Sequence, residues 1–300
     1  MKLPRWHLGL AAAALGICLG SPVLAQKPTG PVPDYSDKWE TARLERLAKE
    51  TLHLNLGKEV QSGAAANFVG VRSERILLSQ RLDSRTYFVQ DSEFGKGKRA
   101  GVFSGPNEEL LLMARDFLRR LEIPVAEVEK AAVLQEKSQV AHLDRETNKL
   151  TIEKEEEGKR FVRFSRKVEG LPIFSSHALV GVTQDKQVGF LEVHWPRIPQ
   201  ETLQEAHRLA YRVQHGWRPP EQKGARVESI EAGVVHSPAV GFVMDIYPAI
   251  RVIYAPEEKQ IGQKPVLYFD RDGKTVPVPR EYYQPAEERK DERPRPAEKK

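Results

Sequence analysis

The strongest constraint on the fold is a pattern that occurs twice: one amphipathic helical stretch succeeded by short-linked alternating segments. In the first instance Leu110, Leu111, Met113, Ala114, Phe117, Leu118 and Leu121 share one side of a helical wheel. Glu108, Arg115, Asp116 and Arg119 fill the other, with Asn107 placed to cap and Ile123-Pro124 to end the helix. Lys149–Lys154 is rich in strand-forming residues, and Val162, Phe164 and Val168 then alternate with Arg163, Ser165 and Lys167. Phe174, Ala178, Val180 and Val182 share one parity, and Leu191, Val193 and Trp195 another. Gly158, Glu169-Gly170 and Asp185-Lys186 separate these runs, links short enough only for an antiparallel meander. In the second instance Pro199 opens a helix through His215, with Leu203, Ala206, Leu209, Ala210 and Val213 on its apolar face. Strands are expected near Ala225–Val235, Ala249–Tyr254 and Pro265–Asp270, and Asp270-Arg271-Asp272-Gly273-Lys274 reads as a tight turn. The expected fold class is therefore α+β, with tandem modules each carrying a helix packed on its own antiparallel sheet.

Residues 1–25 read as a secretory signal, with Lys2 and Arg5 ahead of an apolar run and Val23-Leu24-Ala25 as a cleavage site. The run is too short for a membrane span of about 20 residues, so no transmembrane segment is expected in the mature chain. Cys18 is the only cysteine and lies in that run. Ile17 before it disfavours lipid attachment. The mature chain then has no disulfide, thiol nucleophile or thiolate metal site, which points to export into a bacterial periplasm or medium. Residues 26–35 are a proline-rich lead-in, and 281–300 form a charged tail expected to be disordered. The parts between are an unassigned α/β region at 36–105, a helix-plus-meander module at 106–197 and another at 198–280. In the first, a helix from Ser36 or Asp37 to about Leu54 presents Leu44, Leu47, Ala48 and Thr51 on one face. Glycines 57, 63 and 70 break the helical pattern after it, and strand-like runs occur at Arg75–Leu78 and Thr86–Gln90.

The segment Arg160 to Val193, through Val162-Arg163-Phe164 and then Gly170-Leu171-Pro172-Ile173-Phe174, resembles the propeptide modules of thermolysin-type and fungalysin-type secreted metalloproteases. The segment Ile246 to Pro277, with its Asp270, Gly273 and Lys274 turn, is similar to a PepSY domain. The resemblance implies a cystatin-like or PepSY-like fold and a binding role: inhibiting a protease, assisting its folding, or serving as an envelope interaction domain. Gly170, Leu171, Pro172, Phe174, Asp270 and Gly273 carry the motifs. No H-E-x-x-H accompanies them.

Other chemistries find little support. Lysine and arginine (47) barely exceed aspartate and glutamate (42) and are interleaved with them, unlike the basic face of a nucleic-acid binder. The Phe94–Lys98 loop lacks the phosphate-loop spacing. Gly101–Gly105 places its serine one position late for a nucleophile elbow, and His236-Ser237 is a poor nucleophile–base pair. On the second helix His207 and His215 stand about 12 Å apart, too far to share one zinc. His177 and His194 fall on neighbouring strands and can approach, but the pattern names no third donor, so no metal or cofactor is expected. Carboxylate pairs for a hydrolase are invisible at this level. Trp195, Trp217, Tyr247, Tyr254 and Tyr268 read mainly as core aromatics, and Tyr282 and Tyr283 as the pair placed for partner contact. The reading is an exported non-catalytic protein-binding module, an inhibitor or chaperone of a secreted hydrolase. The alternatives are a wall-binding envelope scaffold and a hydrolase with unidentified carboxylates.

Overall fold

The computed structural model describes residues 37–57, 60–65, 68–81, 86–144, 149–222, 224–236, 245–256 and 265–276. Residues 1–25, expected to be a signal and containing Cys18, residues 26–35 and Ser36, and residues 281–300 with Tyr282 and Tyr283 lie outside the described residues. No helix among the described residues is long and apolar enough to cross a membrane.

The expectation of tandem helix-on-sheet modules is overturned. Eleven strands form one mixed sheet, and the described residues contain three α-helices of 10, 14 and 15 residues. The helices are α1 (Asp37–Arg46), α2 (Asn107–Arg120) and α3 (Gln200–Gln214). The strands are β1 (Gln61–Ala65), β2 (Phe68–Arg72), β3 (Ile76–Arg81), β4 (Thr86–Asp91), β5 (Val128–Asp144), β6 (Lys149–Val168), β7 (Leu171–Val182), β8 (Val188–His194), β9 (Ala225–His236), β10 (Ile246–Pro256) and β11 (Val266–Phe269).

Two edges account for the merger. β4 pairs along β8, so the strands of the N-terminal region extend the sheet of the central one. β7 pairs β6 on one side, and β8 along its C-terminal half, from His177 onward. Its N-terminal half pairs β9 in parallel at Ile173 and Val234, bringing in β9, β10 and β11. An open edge leaves backbone N–H and C=O groups unpaired, and each of these pairings removes one. The antiparallel meander therefore holds for β6, β7 and β8, while the parallel addition of β9 was not visible in the pattern.

The main core lies on one face of this sheet. Tyr87 and Val89 of β4 oppose Val193 and Leu191 of β8. These oppose Ala178 and Val180 of β7, which oppose Phe164 and Val162 of β6. All are buried together with Leu44 and Ala48 of the first helical segment and Leu110, Ala114, Phe117 and Leu118 of α2. Full burial of each such leucine or phenylalanine contributes about 1.5–3 kcal/mol.

The helix starting at Asp37 does not run as α-helix to Leu54. It widens into a π-helical turn at Leu47–Thr51, and Leu52 N–H bonds Leu47 O at 2.9 Å. Asn107 does not cap α2. Pro106 holds that position, and the Asn107 carboxamide oxygen accepts from Arg160 instead. α3 packs Leu203 and Ala206 against Leu171, Ile173 and Val234, and Leu209 against Ile250, Val252 and Tyr254.

Gly158 is not a link. It lies inside β6, a strand of 20 residues whose partner β5 has 17. The two pair from Val128 and Arg166 out to Asp144 and Lys149, with three register shifts. β7 accompanies β6 only over Val162–Val168. Beyond it the two strands continue as a two-stranded arm, from Gln135 and Arg160 outward, about 30 Å long at 3.3 Å per residue.

Candidate functional site

The motif residues of the expected modules have structural roles. Glu169 and Gly170 both have positive φ, 49° and 81°, the backbone of a two-residue hairpin between β6 and β7. Leu171 is buried, and Pro172 opposes Lys167. Phe174 is half-buried, edge-on to Tyr268 at 5.5 Å and under the Arg251 guanidinium at 4.5 Å. Asp270 closes the turn after β11: its Oδ1 accepts from the N–H groups of Asp272 and Lys274 at 2.8 and 2.9 Å, and Gly273 takes φ 79°. None of these residues lines either of the two depressions described below.

The chemically distinctive cluster is His177, Glu192 and His194, on the sheet face opposite the α1–α2 core. Side chains alternate along a strand, so Glu192 and His194 share a face of β8 while Leu191 and Val193 enter the core. His177 on β7 is the direct cross-strand partner of His194. Their rings lie 5.0 Å apart, centre to centre. His194 Nε2 is 3.0 Å from Glu192 Oε1, and His177 Nε2 is 3.6 Å from the same oxygen. The donor atoms of the three residues all lie within 4.8 Å of one another. The side chains are 16%, 24% and 22% exposed for His177, Glu192 and His194, so the cluster is sheltered but reachable.

Around it, Phe88 and Leu179 flank Glu192 on the neighbouring strands. Thr86 lies beyond His194, and Ser165 beyond His177. Ser165 Oγ is buried with no hydrogen-bond partner among the described residues. Farther along the same face Phe88, Phe190, Phe161 and Phe94 make successive edge-to-face contacts at 5.5–5.9 Å.

Burial is the largest influence on His177 and lowers its pKa. The Glu192 hydrogen bond opposes this, while His194 and Arg163 add to the lowering. Burial pushes the Glu192 carboxyl up, yet hydrogen bonds from both histidines and their charge outweigh it and hold the carboxyl well below its ordinary range.

The sequence brings His177 and His194 together and leaves the third donor unnamed. That donor is Glu192, two residues before His194. The signal was present as i, i+2 spacing on one strand, but it needed the register of β7 on β8 to acquire meaning.

The other candidates do not assemble. His207 lies 3.6 Å from Glu169 Oε2 on the exposed side of α3, and His215 stacks on the exposed Tyr211 at 3.8 Å. His236 N–H donates to Ser175 Oγ at 2.7 Å, and Ser237 lies outside the described residues. Ser104 bonds Gln184. Trp195, Tyr254 and Tyr268 are buried, while Trp217 and Tyr247 are half-buried. Two shallow depressions, of about 360 and 230 Å³, lie away from the histidine cluster.

A second polar constellation is structural. Arg166 is 5% exposed and donates to Glu127 Oε2 at 2.8 Å, to Pro196 O at 2.6 Å and to Ser176 Oγ at 3.3 Å. Trp195 Nε1 donates to the same Glu127 oxygen at 2.9 Å, and its ring lies under the guanidinium at 5.1 Å. The buried charge is paired and hydrogen-bonded, as burial requires.

No family model and no curated protein matches this chain. Among solved structures, the crystal structure of an uncharacterized protein from Eubacterium rectale is similar, with 15% identity over 82% of this chain and 83% of that one. The TM-score is 0.39.

Proposed function

We propose that this chain is an exported, non-catalytic protein-binding module that inhibits a secreted hydrolase or assists its folding. The observation that supports this reading is the β5–β6 arm. A two-stranded ribbon is marginal on its own in water, and this one continues well past β7 with β5 pairing only β6 among the described residues. Its backbone edges suit pairing with an extended partner segment. Its sequence, with Glu153, Glu155, Glu156 and Glu157 beside Lys154, Lys159 and Arg160, discourages indiscriminate edge pairing and favours a partner of complementary charge.

The test is a shortened arm. Residues 139–155 are replaced by Asn-Gly, which closes the hairpin at the Ser138–Glu156 pair. The intact chain is expected to retain one exported hydrolase from an envelope and culture-supernatant extract and to reduce its turnover on titration. The shortened chain is expected to do neither. Equal retention and inhibition by both chains would remove the arm from the mechanism. Recovery of wall fragments alone would favour the scaffold alternative.

A further inference from the structure

We propose that His177, Glu192 and His194 bind one divalent transition-metal ion of the zinc class, with a fourth coordination position open to solvent. This does not depend on the partner reading above.

A neutral imidazole carries one N–H. His177 Nδ1 lies 3.3 Å from Ser175 O, which can only accept, so the N–H belongs there. Nε2 then faces Glu192 Oε1 at 3.6 Å. His194 Nε2 faces the same oxygen at 3.0 Å. Two imidazole nitrogens thus converge on one carboxylate oxygen in a sheltered site, the donor set of a three-ligand metal centre. The Nδ1–H bond to a backbone carbonyl is also the outer contact that orients a metal-binding histidine through Nε2.

The geometry agrees. Tetrahedral zinc with bonds near 2.0–2.1 Å places its donors about 3.3 Å apart. Two of the three separations here are 3.0 and 3.6 Å, and the third is within 4.8 Å, closed by a small rotation of the histidine rings. Two imidazoles and one carboxylate suit a borderline ion rather than a hard one such as calcium. Three protein donors leave a position for water. The buried Ser165 Oγ, cross-strand from His177, is placed to hydrogen-bond that water. Arg163, opposite Leu179 in the next cross-strand row, adds positive charge that opposes the ion, so the Glu192 anion is essential to the site.

The experiment uses the untagged chain, stripped with a chelator and titrated with Zn²⁺ by calorimetry and with Co²⁺ by visible absorption. One equivalent is expected to bind, with Co²⁺ bands of four- or five-coordinate nitrogen and oxygen ligation. H177Q, E192Q and H194Q are each expected to weaken Zn²⁺ by at least about 100-fold, beyond the loss typical of an outer contact. H207Q and H215Q, on the exposed side of α3, are expected to leave it unchanged. Circular dichroism checks each variant's fold. Should a variant fail to fold, zinc X-ray absorption on the unsubstituted chain decides: two imidazoles are expected in the shell. Absence of saturable binding, an all-oxygen shell, or stoichiometric binding undiminished in H177Q/H194Q overturns the proposal.

Discussion

Lys186 occupies a position that favours glycine. Its φ is 62°, in the hairpin between β7 and β8, where Lys186 N–H bonds Thr183 O and Thr183 N–H bonds Gln187 O. A side chain there costs about 1 kcal/mol or more. The exposed ion pair of Lys186 with Glu109 at 2.7 Å returns only part of that. K186G is therefore expected to stabilise the fold by about 0.5 kcal/mol, read as a higher urea midpoint. Gly170 presents the reverse case. It has φ 81° with open space around it, so G170A meets strain but no clash and is expected to cost about 1 kcal/mol. A larger effect belongs to Arg166. R166M leaves Glu127 and the Pro196 carbonyl without their guanidinium, and a loss of about 3 kcal/mol is expected in the same measurement. The turn glycines, the Asp270 turn and the apolar positions of α2 were legible in the sequence because each depends on near neighbours. The Arg166 network and the Glu192 donor were not, because their partners lie far away in sequence or on another strand.

At the level of elements, the arm is the informative case. Among the described residues its strands pair only with each other beyond Arg160, so shortening it between Ser138 and Glu156 is expected to leave the unfolding free energy within about 0.5 kcal/mol of the parent. Loss of cooperative unfolding would show that the arm supports the sheet. β5 left no mark in the residue pattern, and Gly158 suggested a break within β6. Register shifts at Val128/Ala131, Gln135/Lys137 and Val140/Ala141 scramble the alternation that marks a half-buried strand. A ribbon extending past the sheet has less need of an apolar face, so little hydrophobic signal remains. β1 and β2 were hidden for a related reason, because Gly63 and Gly70 face each other where side chains would otherwise show a pattern. α2 and α3 were legible because each has one broad apolar stripe.

For the whole molecule, the junction of β7 with β9 decides whether the C-terminal strands belong to the same sheet. Gly233 passes so close to β7 that a Cβ there would lie 2.3 Å from Pro172 O. G233A is expected to pry β9, β10 and β11 from β7 while leaving β1–β8 paired. Hydrogen exchange is expected to show lost protection in β9 and β10 with retained protection in β3, β4 and β8. Uniform loss would show that the sheet behaves as one cooperative unit. No local pattern foretold this junction, since the parallel pairing joins strands separated by β8 and α3.

The pairing of β4 with β8 also sets a timetable. Thr86 finds its cross-strand partner His194 only after roughly a hundred further residues have been made. Until then β4 has an open edge, and the core beneath it lacks the walls contributed by β6, β7 and β8. The early part of the chain therefore remains pliable while the later part is still being synthesised. The delay makes completion of β8 the step that commits the chain to its final shape.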